Sequence, residues 1–198
     1  MKLTARSVSE LLAAFRSSEP TPGGGSASAL AAAVGASLLA MVAGLPKPKA
    51  ATDADVRRLA AAGTRCTELA VSLEALVDQD SAAYELVVGA FRMAKGTEEE
   101  KAARSAGIQK ALVAATETPL DMMRRAAEAL QLAPVVADLG NPNASSDVQV
   151  ARELLAAGLR GAQHNVEINL GNLKDAEYGA RVREEAARLA AWWPGTGG

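Results

Sequence analysis

The chain has 198 residues, 49% hydrophobic but only 3% aromatic, with a formal net charge of −2. That length supports one domain with a proper core. The scarcity of aromatics makes the core aliphatic and alanine-rich, and the balanced charge excludes the basic face of a dedicated nucleic-acid binder. A single cysteine, Cys66, excludes an intrachain disulfide framework and suits a reducing compartment, so a cytoplasmic location is expected. Lys2, Arg6, Glu10 and Arg16 leave no apolar stretch for a signal peptide. Strong helix formers dominate and alternating apolar/polar runs are missing, which predicts an all-α protein, a single helical domain over 1–198 with a frayed tail at 193–198.

Ser7 and Glu10 have capping-box spacing and predict a short helix over about 8–16, with Leu11, Leu12 and Phe15 on its apolar face. Pro20-Thr21-Pro22-Gly23-Gly24-Gly25-Ser26 then forms a sharp turn that runs into an uncharged, small-residue helix over about 27–45. Apolar all round, such a helix either spans a membrane or lies at the buried centre of a bundle. Its alanine content and lack of a Trp or Tyr belt favour the bundle, so no membrane association is expected. Pro46-Lys47-Pro48-Lys49 ends it.

The next helix starts at Thr52 or Asp53 and runs to about Ala94, with Gly63 and Gly89 as soft points. Thr97 and Glu100 cap a helix expected to end near Thr116, and Thr118-Pro119 reads as an N-cap with an N1 proline, starting a separate helix to Leu139. Asn141-Pro142-Asn143-Ala144-Ser145 is a polar loop. Ser146 with Gln149 caps a helix to about Gly171, and a last amphipathic helix covers Asp175 to Trp192. Very long helices in an alanine-rich chain bury more when paired than alone, which predicts a homodimer.

Two features carry chemistry. Asp78 and Asp80 lie about 200° apart on their helix and so form no dyad. Asp78 shares a polar stripe with Glu74, Ser81 and Glu85, whereas Asp80 shares an apolar one with Leu73, Leu76, Val77, Tyr84 and Val87. A carboxylate on an apolar stripe either pairs with a neighbouring helix or has a raised pKa suited to general acid–base work, and the residues alone leave both readings open. Further on, Leu154, Gly158, Ala162, Asn165, Asn169 and Asn172 share one helix face. Its amides suit the edge of a flat heterocycle or, equally, a ladder of hydrogen bonds between helices. Asp147, in a first helical turn, also reads simply as an acid complementing the helix dipole. One histidine, His164, gives no metal-site spacing, and no metal is expected. The glycine turn is not a nucleotide-phosphate loop, since no Gly-Lys-Ser/Thr follows it.

Several stretches, in order, resemble one family. Pro22-Gly23-Gly24-Gly25-Ser26 before a small-residue helix, Asp78-x-Asp80-x-x-x-Tyr84, Asn141-Pro142-Asn143 with Ser146-Asp147, and Gly161-Ala162-x-x-Asn165-Val166-x-Ile168-Asn169-Leu170 are similar to the folate cyclodeaminases and the stand-alone methenyltetrahydrofolate cyclohydrolases. The resemblance spans roughly residues 5–190. It implies an all-helical homodimer with a folate site between helices. The implied reaction closes 5-formimidoyltetrahydrofolate to 5,10-methenyltetrahydrofolate with release of ammonia, or opens methenyl to 10-formyl. A tetrahydrofolate derivative is then the substrate, with no separate cofactor. The resemblance puts the catalytic acid at Asp80, and Gly23, Gly24, Gly25, Ser26, Asn143, Asp147, Asn165 and Asn169 are expected to bind substrate. The chain departs from the family at Leu45-Pro46-Lys47-Pro48-Lys49-Ala50, where members carry a Thr and then a basic stretch ending in an aromatic residue. A non-catalytic helical dimer binding a folate-like ligand or a protein partner is the remaining reading.

Overall fold

A computed structural model describes residues 2–46 and 52–191. Among these residues the regular structure is helical, with no strand. After a 3₁₀ turn at Leu3–Ala5 come α1 (Val8–Phe15), α2 (Gly24–Gly44), α3 (Asp53–Phe91), α4 (Glu98–Leu139), a second 3₁₀ turn (Pro142–Ala144), α5 (Ser145–Leu170) and α6 (Ala176–Ala190). The expected segment Lys47-Pro48-Lys49-Ala50, Trp192 and the 193–198 tail lie outside the described residues.

Local chemistry accounts for most helix starts. Full capping boxes form at Ser7/Glu10, Thr52/Asp55 and Thr97/Glu100, each pairing a hydroxyl with a carboxylate three residues on. Asp175 caps α6 by accepting from the Tyr178 N–H. The box expected at Ser146/Gln149 does not form. The chain instead enters α5 through the 3₁₀ turn, where the Asn141 side chain accepts from the Asn143 N–H and Ala144 is buried. The geometry of the turn has already oriented the first turn of α5, so Ser146 is one residue inside the helix. Gly63 and Gly89 do not break α3, which is continuous over 39 residues.

The largest difference from the sequence reading is α4, one unbroken helix through both Pro119 and Pro134. Thr118 does not cap anything; its hydroxyl donates back to the Ala114 carbonyl within the same helix. Packing outweighs the local helix-breaking tendency here, because Pro119 and its neighbours Thr116, Leu120, Met122 and Met123 are all buried. An interior proline costs ~3 kcal/mol, well within what several buried side chains at ~1.5–3 kcal/mol each can offset.

α2, α3, α4 and α5 form an up-down-up-down bundle: α2 packs between α3 and α5, and α4 closes the ring against the same two helices. Small residues set the α2–α5 distance. A Cβ at Gly158 would lie 2.7 Å from both the Ser28 carbonyl and the Ala32 Cβ, so the two backbones touch there only because Gly158 has no side chain. The core is aliphatic, built on Leu39, Leu59, Leu69, Leu73, Leu120, Met122, Met123, Leu155 and Leu159. α6 is tied across α4 by the two-pronged Arg124–Glu185 ion pair and by the Tyr178 hydroxyl donating to Glu117.

By length and composition α2 is apolar enough to cross a membrane. In the fold it contributes Ala29, Ala32, Ala36, Leu39 and Val42 to the core, as the bundle reading requires. It also turns a third, apolar face outward, with Val34 and Met41 over 40% exposed.

Candidate functional site

α2 begins at Gly24, three residues earlier than its sequence suggests, so the glycines are not a loop before the helix but its N-cap and first turn. Gly23 caps without a side chain, and the Thr21–Pro22 peptide before it is cis. The first-turn N–H groups therefore have no side-chain acceptor of their own. This open end of α2 meets α3 at Asp80. A Cβ on Gly25 would sit 2.1 Å from the Asp80 Oδ1 and 2.5 Å from its Cγ, so only glycine lets the carboxyl rest on the helix end.

Ser26 holds the other side of that carboxyl. Its Oγ lies 3.1 Å from Asp80 Oδ2, 2.9 Å from the Val77 carbonyl and 3.2 Å from Ser81 Oγ. A hydroxyl has one proton to give, so it can donate to Asp80 or to Val77 but not to both. When Asp80 is ionised, Ser26 donates to it. When Asp80 is protonated, its own O–H can donate to Ser26, and Ser26 then donates to Val77. Both states are thus satisfied with no movement of heavy atoms. Burial raises the Asp80 pKa above the usual carboxylate range; the hydroxyl and backbone N–H of Ser26 favour the charged form and offset part of that effect. Both readings left open for Asp80 meet here: the carboxyl pairs with the neighbouring helix α2 through Ser26, and burial raises its pKa.

Around Asp80 is a cavity of about 210 Å³. One wall is the α3 stripe Tyr84, Val87 and Phe91, which continues Asp80 at helical spacing. Leu112 and Ala115 of α4 form another, and Asn165, Asn169 and Asn172 of α5 face them. The Asn165 Nδ2 donates to the Gly161 carbonyl one turn back at 2.8 Å, and the Asn169 Nδ2 donates across to the Ala115 carbonyl of α4 at 2.7 Å. Because both partners are carbonyls, the amide nitrogens must face them, and each Oδ1 is left to the cavity. The stripe is therefore both things its sequence allowed. One amide links two helices, and the pair presents acceptors beside an aromatic wall, which suits the N–H-bearing edge of a flat ring.

The structure thus brings together Gly23, Gly24, Gly25, Ser26, Asp80, Asn165 and Asn169. It does not bring Asn143 or Asp147 to them. These two lie at the opposite end of α2, where the Asn141 amide donates to the Pro46 carbonyl. The 21 residues of α2 separate the two ends, roughly 30 Å at 1.5 Å per residue. Asp78 is also corrected. It is not simply solvated but accepts from the Leu3 N–H at 2.5 Å and the Thr4 hydroxyl at 2.8 Å, pinning the N-terminal 3₁₀ turn to α3. Sequence reading missed Ser81 and Phe91. Phe91 was findable, since it extends the Asp80 stripe by one more turn. Ser81 reads from the sequence only as a member of the Asp78 stripe, which gives no hint of its contact with Ser26. Among the described residues, no group of three or more His, Cys, Asp or Glu side chains is arranged to hold a metal. His164 is exposed beside Glu167, and Cys66 is buried in the core.

Comparison with known proteins agrees with this picture. The formiminotransferase-cyclodeaminase family model matches residues 7–188. A methenyltetrahydrofolate cyclohydrolase of Methylorubrum extorquens is 38% identical over 93% of this chain and 88% of its own. The formimidoyltransferase-cyclodeaminase of Rattus norvegicus is 32% identical over 85% of this chain, which spans only 31% of that longer protein. A crystal structure of formiminotetrahydrofolate cyclodeaminase from Thermotoga maritima superimposes with a TM-score of 0.85 at 26% identity, covering 96% of this chain and 91% of that one. With a match over nearly its whole length, the chain belongs to the formiminotransferase-cyclodeaminase family.

Proposed function

We propose that the protein is a folate one-carbon enzyme, closing 5-formimidoyltetrahydrofolate to 5,10-methenyltetrahydrofolate with release of ammonia. The observation that carries this reading is Asp80, a buried carboxyl of raised pKa facing a cavity with two amide acceptors. The substrate's N10 attacks the carbon of the protonated formimidoyl group and forms the new C–N bond, while the C=N π pair moves onto the nitrogen and leaves it as an amino group. The N10 proton passes to the Asp80 carboxylate. The Asp80 carboxyl then gives a proton to the former imine nitrogen, which leaves as ammonia while the N5–C–N10 bridge becomes the methenyl cation. A carboxyl whose pKa is raised by burial serves both halves of that transfer. Asn165 and Asn169 accept from the ring's N–H edge, and the first turn of α2, Gly23 to Ser26, offers backbone N–H groups to the substrate or to the Asp80 carboxylate. The tetrahydrofolate derivative is the substrate and the proposal includes no further cofactor. Asn143 and Asp147 are not part of this site within one chain.

A second reading, methenyltetrahydrofolate cyclohydrolase, is favoured by the relative from Methylorubrum extorquens, whose length this chain nearly matches. Water would attack the methenyl carbon and lose one proton to Asp80; as the N5–C bond breaks, the remaining hydroxyl proton passes to N5 and the C=O of the 10-formyl product forms. Supplying formimidoyl- and methenyltetrahydrofolate separately, and following the methenyl absorbance, separates the two. Gain of absorbance from the first substrate marks the deaminase, loss from the second marks the hydrolase, and no change with either leaves a binding protein.

A homodimer and a cytoplasmic location belong to the same proposal, with no role for nucleic acid or membrane. The outward face of α2 supports the dimer: with Val8, Leu11, Leu30, Val34 and Val71 it lines an apolar groove of about 470 Å³. An apolar surface of this kind on a soluble protein marks an association site. Light scattering near twice the 20.3 kDa chain mass is expected.

A further inference from the structure

We propose that Pro119, which does not reach the substrate, is a positioning residue for substrate binding: it frees the Ala115 carbonyl to hold the Asn169 amide. This rests on the reading of the cavity as a folate site. In an α-helix the carbonyl of residue 115 pairs with the N–H of residue 119. Proline has no N–H, and its ring pushes the carbonyl four residues back away from the helix axis. Ala115 lines the cavity, and its buried carbonyl needs a donor from elsewhere. That donor is the Asn169 Nδ2 of α5 at 2.7 Å.

The consequence concerns orientation. An asparagine amide can present either its oxygen or its nitrogen to a ligand. With the nitrogen held by Ala115, Asn169 presents Oδ1. Asn165 is held the same way by the Gly161 carbonyl at 2.8 Å. No protein donor in the described residues reaches either Oδ1. Two acceptors in a row select a ligand edge with N–H donors and oppose one that offers acceptors. Pro119 thereby acts on specificity from one turn away. The neighbouring hydroxyls of Thr116 and Thr118 donate to Leu112 and Ala114, not to Ala115, so the α5 amide is the partner of this carbonyl.

The test compares wild type, Pro119→Ala, Asn169→Ala and the double variant, with Pro119→Val, which restores the N–H in a bulkier side chain, used if Pro119→Ala does not fold. Hydrogen exchange of the ¹⁵N-labelled Asn169 side-chain amide is read without substrate. It should be protected in wild type and exchange about tenfold faster once an N–H is restored at position 119. With the folate substrate, Pro119→Ala should raise KM about fivefold, the loss of roughly one neutral hydrogen bond, and leave kcat within twofold. The double variant should match Asn169→Ala alone. Multiplying KM effects, or Asn169 exchange that ignores the substitution, overturns the proposal. If exchange responds as expected but neither folate is turned over by wild type, the hold on Asn169 stands and the folate reading falls.

Discussion

Gly25→Ala is the most direct test of how the site is built. The added Cβ would lie 2.1 Å from Asp80 Oδ1. An ordinary contact needs about 3.4 Å, so the carboxyl must retreat by roughly 1 Å, off the end of α2 and away from Ser26. A misplacement of ~1 Å in a reacting group can cost on the order of 10²-fold in rate. The fold should survive. Overpacking costs ~1–3 kcal/mol, part of which the better helix propensity of alanine returns, up to ~1 kcal/mol. Gly89→Ala is the matched control. It lies in the same helix as Asp80, its Cβ would meet nothing within 4 Å, and it should stabilise the protein by ~0.5–1 kcal/mol with turnover unchanged. The assay is the methenyl absorbance change per active site, paired with urea unfolding of each variant. If Gly25→Ala turns over within twofold of wild type with its fold intact, the Asp80 carboxyl does not work from the end of α2, and the proposed mechanism is wrong.

Other outcomes follow from the same contacts. Asp80→Asn should lower turnover by roughly 10²–10⁴ and raise stability at neutral pH, because burial lifts the folded-state pKa above the ordinary aspartate value of about 3.9. The folded state then holds its proton more tightly than the unfolded one, so wild-type stability falls as pH rises from about that value through the raised folded pKa, and the Asn variant loses this slope. Denaturant midpoints measured from pH 3.5 to 8 would show it; parallel curves for the two proteins would count against it. Asp78→Ala removes the acceptor for Leu3 and Thr4 and should cost ~1–3 kcal/mol with little effect on kcat, where a truly solvated carboxylate would cost almost nothing. Burial pushes the Cys66 thiol up to about 11, so the folded protein should resist alkylation at pH 8 and react stoichiometrically once unfolded; rapid labelling of the native state would refute its core position.

The sequence by itself determined the all-α class, the aliphatic core, the starts of α1, α3, α4 and α6, and the placement of Asp80, not Asp78, on the apolar face of α3. These follow from period, capping chemistry and composition, which act within a few residues of chain. Tertiary structure decided what depends on residues far apart. Thr118-Pro119 has every local mark of a helix start, yet buried contacts on both sides carry α4 straight through it. The glycine turn reads as a loop until Asp80, 55 residues on, is seen resting against Gly25. Asp78 shares a polar stripe with Glu74 and Glu85, and nothing in that stripe reveals that the chain's own N-terminus folds back onto it. Asn143 and Asp147 stand at the start of α5 and Asn165 and Asn169 near its end, but a helix is a rigid rod, and the 26 residues of α5 hold its two ends roughly 39 Å apart at 1.5 Å per residue. Periodicity assigns residues to a face; only packing decides which end of that face meets another helix, and so which of its polar groups share a site.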